Sequence, residues 1–367
     1  MERLKFQKSN PYTLGVELEF QLLDRKNLDL VPRSTDILSS VPEDYQDRLK
    51  PEFIQSMLEV TTGICTGVKE VADDLIKSCR LLEELADRNS CLIHAASLHP
   101  FAIAEEQRLS EGRRYRKIME ELQMVGRRLI TQGLHVHVGL ADGETAIRVC
   151  DGIRRYLPIL LALTTSSPFF EGSDSGLYSY RSKLFASLPR AGMPDALKSW
   201  KNYHNLVEIL LNARIISGTR DLWWDVRPHP DFGTVEVRIC DLPSRFDEIL
   251  AVTVLIHNLV YHLSRLVFRK TQNLVILNNN KWQATRHGLS GYYVDPYTAR
   301  RCTFYQSVLE LLDMLGPAAR DLGNTRYMAP VRRILETGTS SHRQKKLYSD
   351  NKTFKEIIEK IREGFWQ

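Results

Sequence analysis

The chain has 367 residues, of which 43% are hydrophobic and 26% charged, the make-up of an ordinary globular protein with ample material for a large core. A formal charge of +5 is small for this length, and acidic residues are interspersed throughout, which argues against a non-specific nucleic-acid binder and leaves anionic small molecules as fitting ligands. The six cysteines (Cys65, Cys79, Cys91, Cys150, Cys240, Cys302) form no CxxC pair and no signal-peptide pattern opens the chain, so buried, reduced thiols in a cytoplasmic protein are expected.

Thr13–Leu23 has the two-residue alternation of a strand: Val16, Leu18 and Phe20 point one way, and Glu17, Glu19 and Gln21 the other. Two carboxylates therefore share a face. The same alternation over Ile54–Thr61 puts Glu59 beside Gln55 and Met57. Val68–Arg88 has helical spacing, with Val68, Val71, Ala72, Leu75, Ile76, Cys79 and Leu82 on one face. The run Arg113-Arg114-Tyr115-Arg116-Lys117, with Arg127 and Arg128 beyond it, is balanced by Glu111, Glu120 and Glu121 and reads as a solvated helix face.

Leu134–Val138 is predicted as a strand with His135 and His137 opposite Val136 and Val138, and Ala146–Leu163 as a helix. Arg181 in Tyr178–Ser182 and Arg220 in Gly218–Asp221 fall in loop-like segments, where binding residues tend to sit. Thr234–Ile239 is a further strand, with Glu236 and Arg238 opposite Val235, Val237 and Ile239. Asp247–Phe268 is predicted as a helix. Its apolar stretch from Ile249 contains His257, Asn258, His262 and Arg265, so it reads as a core helix and not a membrane span. Arg286 lies in a third loop-like segment, Trp282–Gly288. Strands and helices alternate irregularly with no repeat or long linker, which predicts one domain over residues 1–367 of α+β class with a mainly antiparallel sheet.

For any one strand, alternation only says that one face is wet. Here the polar positions hold Glu, Glu, Glu, His, His, Glu and Arg, where a merely solvated face would favour Lys, Thr, Ser and Gln and avoid crowded like charges. If the four strands are neighbours, these residues converge on one oxygen-rich surface suited to Mg²⁺ or Mn²⁺, although ligand type alone leaves zinc open. On that surface Arg238 is placed to bridge between metals and a transferring phosphoryl group.

The segments Gly15-Val-Glu-Leu-Glu, Gln55–Cys65, Leu134-His-Val-His-Val-Gly, Tyr180-Arg-Ser, Leu188-Pro-Arg-Ala-Gly-Met-Pro and Thr234–Asp241 occur in that order over nearly the whole chain. Together they resemble the carboxylate–amine ligase family often labelled glutamate–cysteine ligase type 2, which is similar to glutamine synthetase. The resemblance implies a single catalytic domain: a curved antiparallel sheet of the glutamine synthetase/guanido kinase-like kind, with helices on its convex face. It implies ATP and two or more Mg²⁺ (or Mn²⁺) ions as cofactors, glutamate as carboxylate, cysteine as a candidate amine, and a homodimer with neither nucleic acid nor membrane as partner. It further implies metal ligation by Glu17, Glu19, Glu59, Glu236 and one of His135 and His137, with His137 preferred. Glu236 and Arg238 become catalytic, with Arg238 on the transferred phosphate, and Arg181 and Arg286 become substrate or phosphate contacts; Arg220 is a further candidate contact, from its loop-like segment.

Glu171–Gly176 and Asn278–Lys281 are candidate closing loops by composition. Two competing readings are a metal-dependent hydrolase, since His-x-His on a strand also opens amidohydrolase-type sites, and a non-catalytic nucleotide-binding or metabolite-binding scaffold. No GxxxxGK[ST] phosphate loop is present, which does not bear on a family that binds ATP without one.

Overall fold

A computed structural model describes residues 4–266 and 272–367. Its main sheet has seven strands: β1 (Leu14–Asp24), β2 (Leu49–Pro51), β3 (Met57–Thr61), β4 (Cys91–His94), β5 (Leu134–Gly139), β6 (Val226–His229) and β7 (Thr234–Val237). They run in the order β6–β7–β5–β1–β3–β2, with β4 also paired to β1, and every pairing is antiparallel. The α+β class with an antiparallel sheet is as expected.

The apolar parity of each strand packs against helices. Val16, Leu18, Phe20, Leu58, Val60, Val136, Val138, Val235 and Val237 are all buried in one core with side chains of the helices Val68–Arg88, Gly143–Ile153 and Phe246–Ser264. Val68–Arg88 has the predicted bounds, but its inner face differs at one place: Ile76 is 40% exposed, whereas Ser78 is buried. The expected helix Ala146–Leu163 is two, Gly143–Ile153 and Leu157–Thr164. Pro158 is the reason, because inside a continuous helix its ring would meet the carbonyl of Arg154; it sits instead in the first turn of the second helix.

Phe246–Ser264 is long and apolar enough by composition to cross a membrane, yet 83% of its apolar window is buried within the protein, as the core-helix reading requires. The end of that expected helix, Phe268, lies outside the described residues. The other shortened elements are strands. Ile54–Ser56 forms a turn ahead of β3, with the Met57 amide donating to the Ile54 carbonyl at 3.1 Å. Past Val237, the amides of Arg238 and Ile239 both donate to the Asp225 carbonyl, at 2.9 and 3.2 Å. Two successive donors on one acceptor mark a β-bulge, a device that re-aims a side chain beside a site.

The hairpin between β6 and β7 ends in Gly233 at φ +65°, where an added Cβ would come within 1.9 Å of the Gln7 carbonyl oxygen. Gly233→Ala is expected to cost about 2 kcal/mol or more, since it combines left-handed backbone strain with a backbone clash. A thermal melt equal to that of the unchanged chain would refute this.

Candidate functional site

Cross-strand register assembles the site. Glu17 pairs with His135 across β1 and β5, Glu19 with Glu59 across β1 and β3, Glu236 with His137 across β7 and β5, and Arg227 with Glu236 across β6 and β7. The polar parity of five strands thus becomes one wall of a cavity of about 470 Å³, within the usual range of ligand sites. This face is not a wet one: His135, His137 and Glu236 are 3%, 6% and 1% exposed.

Two groups of donors lie side by side. In the first, ligand atoms of Glu17, His135 and Glu236 fall within 4.8 Å of one another; in the second, those of Glu19, Glu52 and Glu59 do. His135 Nδ1 lies 3.1 Å from Glu17 Oε2, and His137 Nε2 lies 3.2 Å from Glu17 Oε1 and 3.8 Å from Glu236 Oε1. Burial raises the Glu17 pKa, but hydrogen bonds from His135 and His137 outweigh it and hold the carboxyl well below the usual range. Burial likewise raises Glu236, and Arg227 and Arg238 outweigh it. Arg227 donates from Nε to Glu236 Oε2 at 2.6 Å, and Arg238 Nη1 donates to Glu236 Oε1.

The second group behaves oppositely. Burial, then the neighbouring Glu52 charge, pushes Glu19 up to about 8, while burial and three carboxylate neighbours push Glu59 well above its ordinary value. Three carboxylates at this spacing, Glu19 buried and Glu52 and Glu59 half-buried, repel one another, and an oxygen-preferring dication among them removes that repulsion. In the first group, burial and then Arg238 lower His135 to about 4, so its imidazole is neutral as a ligand must be, and its Nε2 has no hydrogen-bond partner. His137 is fixed differently. Its Nδ1 lies 3.0 Å from the Thr234 hydroxyl, and the carboxylates of Glu236 and Glu17 overcome burial to raise its pKa. The donor set therefore fits hard divalent ions at two places; His135 belongs to the first three-residue group, and the Nε2 of His137, like that of His135, is buried without a hydrogen-bond partner beside it.

Arg220 and Arg238 line the cavity as expected. Arg181 does not. It begins the helix Arg181–Ala186, is 3% exposed, and donates to the carbonyls of Ile239 and Arg238, each at 3.2 Å, so it clamps the bulge from behind. Its charge is met by Asp241, 3.7 Å away. Arg286 is also outside the cavity. It occupies the last turn of the helix Leu274–His287, exposed, and donates to the Gly176 carbonyl. Both arginines were expected in loops because glycine and serine flank them, yet each belongs to a helix. The same helix contains Asn278–Lys281, which is therefore no closing loop: Asn280 is tied to Val294 and Lys281 to Asp225. Of Glu171–Gly176, only Glu171 and Gly172 form a turn, between the two-residue strands Phe169–Phe170 and Ser173–Asp174.

Several wall residues carry no strand-alternation signal. Glu52 follows β2 in irregular backbone, and Arg114 and Tyr115 reach the cavity from the helix Arg113–Leu122, whose charge run reads as solvated. Arg227 and His229 share the parity that exposes a site face, which could have revealed them, but Pro228 between them argues against a strand. Proline is tolerated there because β6 is the sheet edge.

Residues 13–363 match glutamate–cysteine ligase family 2. A protein of Gloeobacter violaceus carried under the provisional name glutamate–cysteine ligase 2 is 37% identical over 98% of this chain and 99% of its own; one of Sorangium cellulosum, similarly named, is 38% identical over 95% of each. Among solved structures, a glutamate–cysteine ligase of Francisella tularensis in complex with AMP superposes with a TM-score of 0.70 at 14% identity, covering 98% of this chain and 89% of that one. A bifunctional glutathione synthetase of Pasteurella multocida gives the same TM-score and identity over 96% of this chain, which spans about half (52%) of that longer protein. The fold is thus that of glutamine synthetase-like ligases, and its antiparallel sheet sets aside the amidohydrolase-type barrel. Sequence relationship over nearly its whole length places the chain in glutamate–cysteine ligase family 2, and it is an ATP-dependent ligase that joins a carboxylate to an amine.

Proposed function

We propose that this ligase activates glutamate, or a carboxylate of its kind, as an acyl phosphate and passes it to an amine, with cysteine the first acceptor to test. The observation that carries this reading is the pair of donor groups, Glu17/His135/Glu236 and Glu19/Glu52/Glu59, side by side in one cavity with Arg238 against Glu236. The adenine nucleotide held by the similar Francisella ligase supports ATP as the phosphoryl donor.

The carboxylate oxygen attacks the γ-phosphorus, a new P–O bond forms, and the bond to the β-phosphate oxygen breaks, releasing ADP. The amine then adds to the acyl carbon, inorganic phosphate leaves, and one amine proton passes to solvent. Divalent ions bound at the two donor groups would supply charge neutralisation for the phosphates. The chain's own work is positioning. Glu17 and Glu236 are held ionised, Arg238 presents a fixed guanidinium to the spread phosphoryl charge, and the buried histidines keep the carboxylates oriented. Rim side chains Tyr115, Phe185 and Phe232 narrow access of water to the acyl phosphate.

The test is ADP release by purified chain with Mg²⁺, ATP, glutamate and cysteine, each partner alone and together, against a wider panel of carboxylates and amines. Release that needs both partners is expected; no release with any pair would overturn the reading. Chelation is expected to abolish release, and added Mg²⁺ or Mn²⁺ to restore it. Turnover that survives exhaustive chelation would exclude the two-group metal assignment.

Residues 1–367 are proposed to act as one catalytic unit in the cytoplasm, in keeping with six free cysteines, five of them buried. A homodimer is proposed from the family resemblance alone, and light scattering tests it.

A further inference from the structure

We propose that Phe232 and His229 form a platform at the cavity mouth on which the base of the nucleotide stacks, a proposal that rests on the ligase reading above. A lone exposed phenylalanine would carry no such meaning, since single apolar side chains are common on surfaces. Phe232 is not alone. It is 51% exposed, yet one ring face lies against His229 with centroids 4.1 Å apart and planes within 10°, and its ring also meets His137 edge-on at 5.7 Å.

The phenyl is displayed on a fixed backbone. It sits at the tip of the β6–β7 hairpin, where the Phe232 amide lies 3.3 Å from His229 Nδ1, and the Gly233 amide donates to the His229 carbonyl at 2.9 Å. A rigid, half-exposed aromatic face loses little freedom when a planar ligand covers it, and every nucleobase has such a face. Neither glutamate nor cysteine has one.

Position supplies the rest of the argument. His137, against which Phe232 packs, is 3.2 Å from Glu17 and 3.8 Å from Glu236, and Glu236 is in turn bonded to Arg238. A nucleotide with its base on Phe232 would therefore run its phosphates towards the first donor group and Arg238. The Arg220 guanidinium stands 5.8 Å from the Phe232 ring centroid, near the outer limit of cation–π contact, and is placed to meet a base or a phosphate. No glycine-rich phosphate loop exists in this chain, so base stacking would supply affinity that such a loop provides elsewhere.

The experiment compares Mg²⁺-dependent binding of ATP and of inorganic tripolyphosphate, by calorimetry, in the full chain and in Phe232→Ala and Phe232→Tyr. Phe232→Ala is expected to weaken ATP about tenfold, the effect of losing one base stack, and to leave tripolyphosphate unchanged. Phe232→Tyr should keep ATP affinity, because the aromatic face remains. Equal weakening of both ligands, or unchanged ATP affinity with a raised KM for the amine, would overturn the platform and in the second case reassign it to the amine. An unchanged chain that binds tripolyphosphate as tightly as ATP would overturn the platform alone. An unchanged chain that binds neither would overturn the nucleotide reading beneath it.

Discussion

Glu17→Gln is expected to lower kcat by about 10²–10³-fold, the usual consequence of losing one preorganised charged contact at a developing charge. Glu17 is the carboxylate that both histidines touch, with His135 on one oxygen and His137 on the other, and it belongs to the first donor group. Glutamine keeps its shape and removes its charge, which is what the phosphoryl-transfer site needs. The fold should tolerate the change. Glu17 faces the cavity with its side chain 22% exposed, and the apolar core lies on the opposite side of β1. The melting temperature is expected to move by no more than about 1–2 °C, corresponding to about 1 kcal/mol in a chain of this size. Steady-state ADP release and a circular-dichroism melt on the same preparation check both halves, and retained turnover would sink the metal assignment.

Glu236→Gln should be as inactive but far less stable. Sequence reasoning treats the two glutamates alike, because both are site-facing residues on alternating strands. Their surroundings separate them: Glu236 is 1% exposed and is the shared counter-charge of Arg227 and Arg238, which it meets through both oxygens. Arg227 spends its remaining donors on the carbonyls of Arg220 at 3.0 Å and Leu222 at 2.9 Å, so it cannot turn to solvent without releasing that loop. Neutralising Glu236 strips the buried Arg227 guanidinium of its counter-charge and leaves the half-buried Arg238 with only the more distant Glu17 and Glu19. Removing one member of such a buried set typically costs about 3–5 kcal/mol. The double substitution Glu236→Gln with Arg227→Met removes one of the stranded charges and should recover part of the melting temperature without recovering turnover. A single variant that melts with the unchanged chain would show that the buried pairs contribute little. A double variant that regains turnover would remove Glu236 from the chemistry.

The pleat of β1 and β5 was readable because it is local. Glu17, Glu19, His135 and His137 point where alternation puts them, and Glu59, Glu236 and Arg238 also reach the cavity. Residues in other settings were not readable in the same way. Arg227 and His229 are masked by Pro228, which is permissible because β6 is the edge strand of the sheet among the described residues. Glu52 lies in irregular backbone after β2, where no periodicity operates. Arg114 and Tyr115 share a helix with residues that are solvated, and only the docking of that helix over β2, through the Tyr115 hydroxyl and the Pro51 carbonyl at 3.0 Å, turns them towards the cavity. Arg181 shows the converse. Its motif marks it as a ligand contact, but the backbone of the bulge at Arg238 and Ile239 takes its guanidinium.

The candidate donors and the face on which most of them lie can be read along the chain, because residue type and strand parity are properties of a few consecutive residues. Family membership was also legible, through the order of short segments along the chain. Only the tertiary structure decided which strands are neighbours and in what register, and hence that Glu17 meets His135 across a separation of 118 residues. It also decided which arginines face the cavity and which brace it from behind. These outcomes depend on pairing between distant segments, and a slip of one residue in that pairing would turn every site residue into the core.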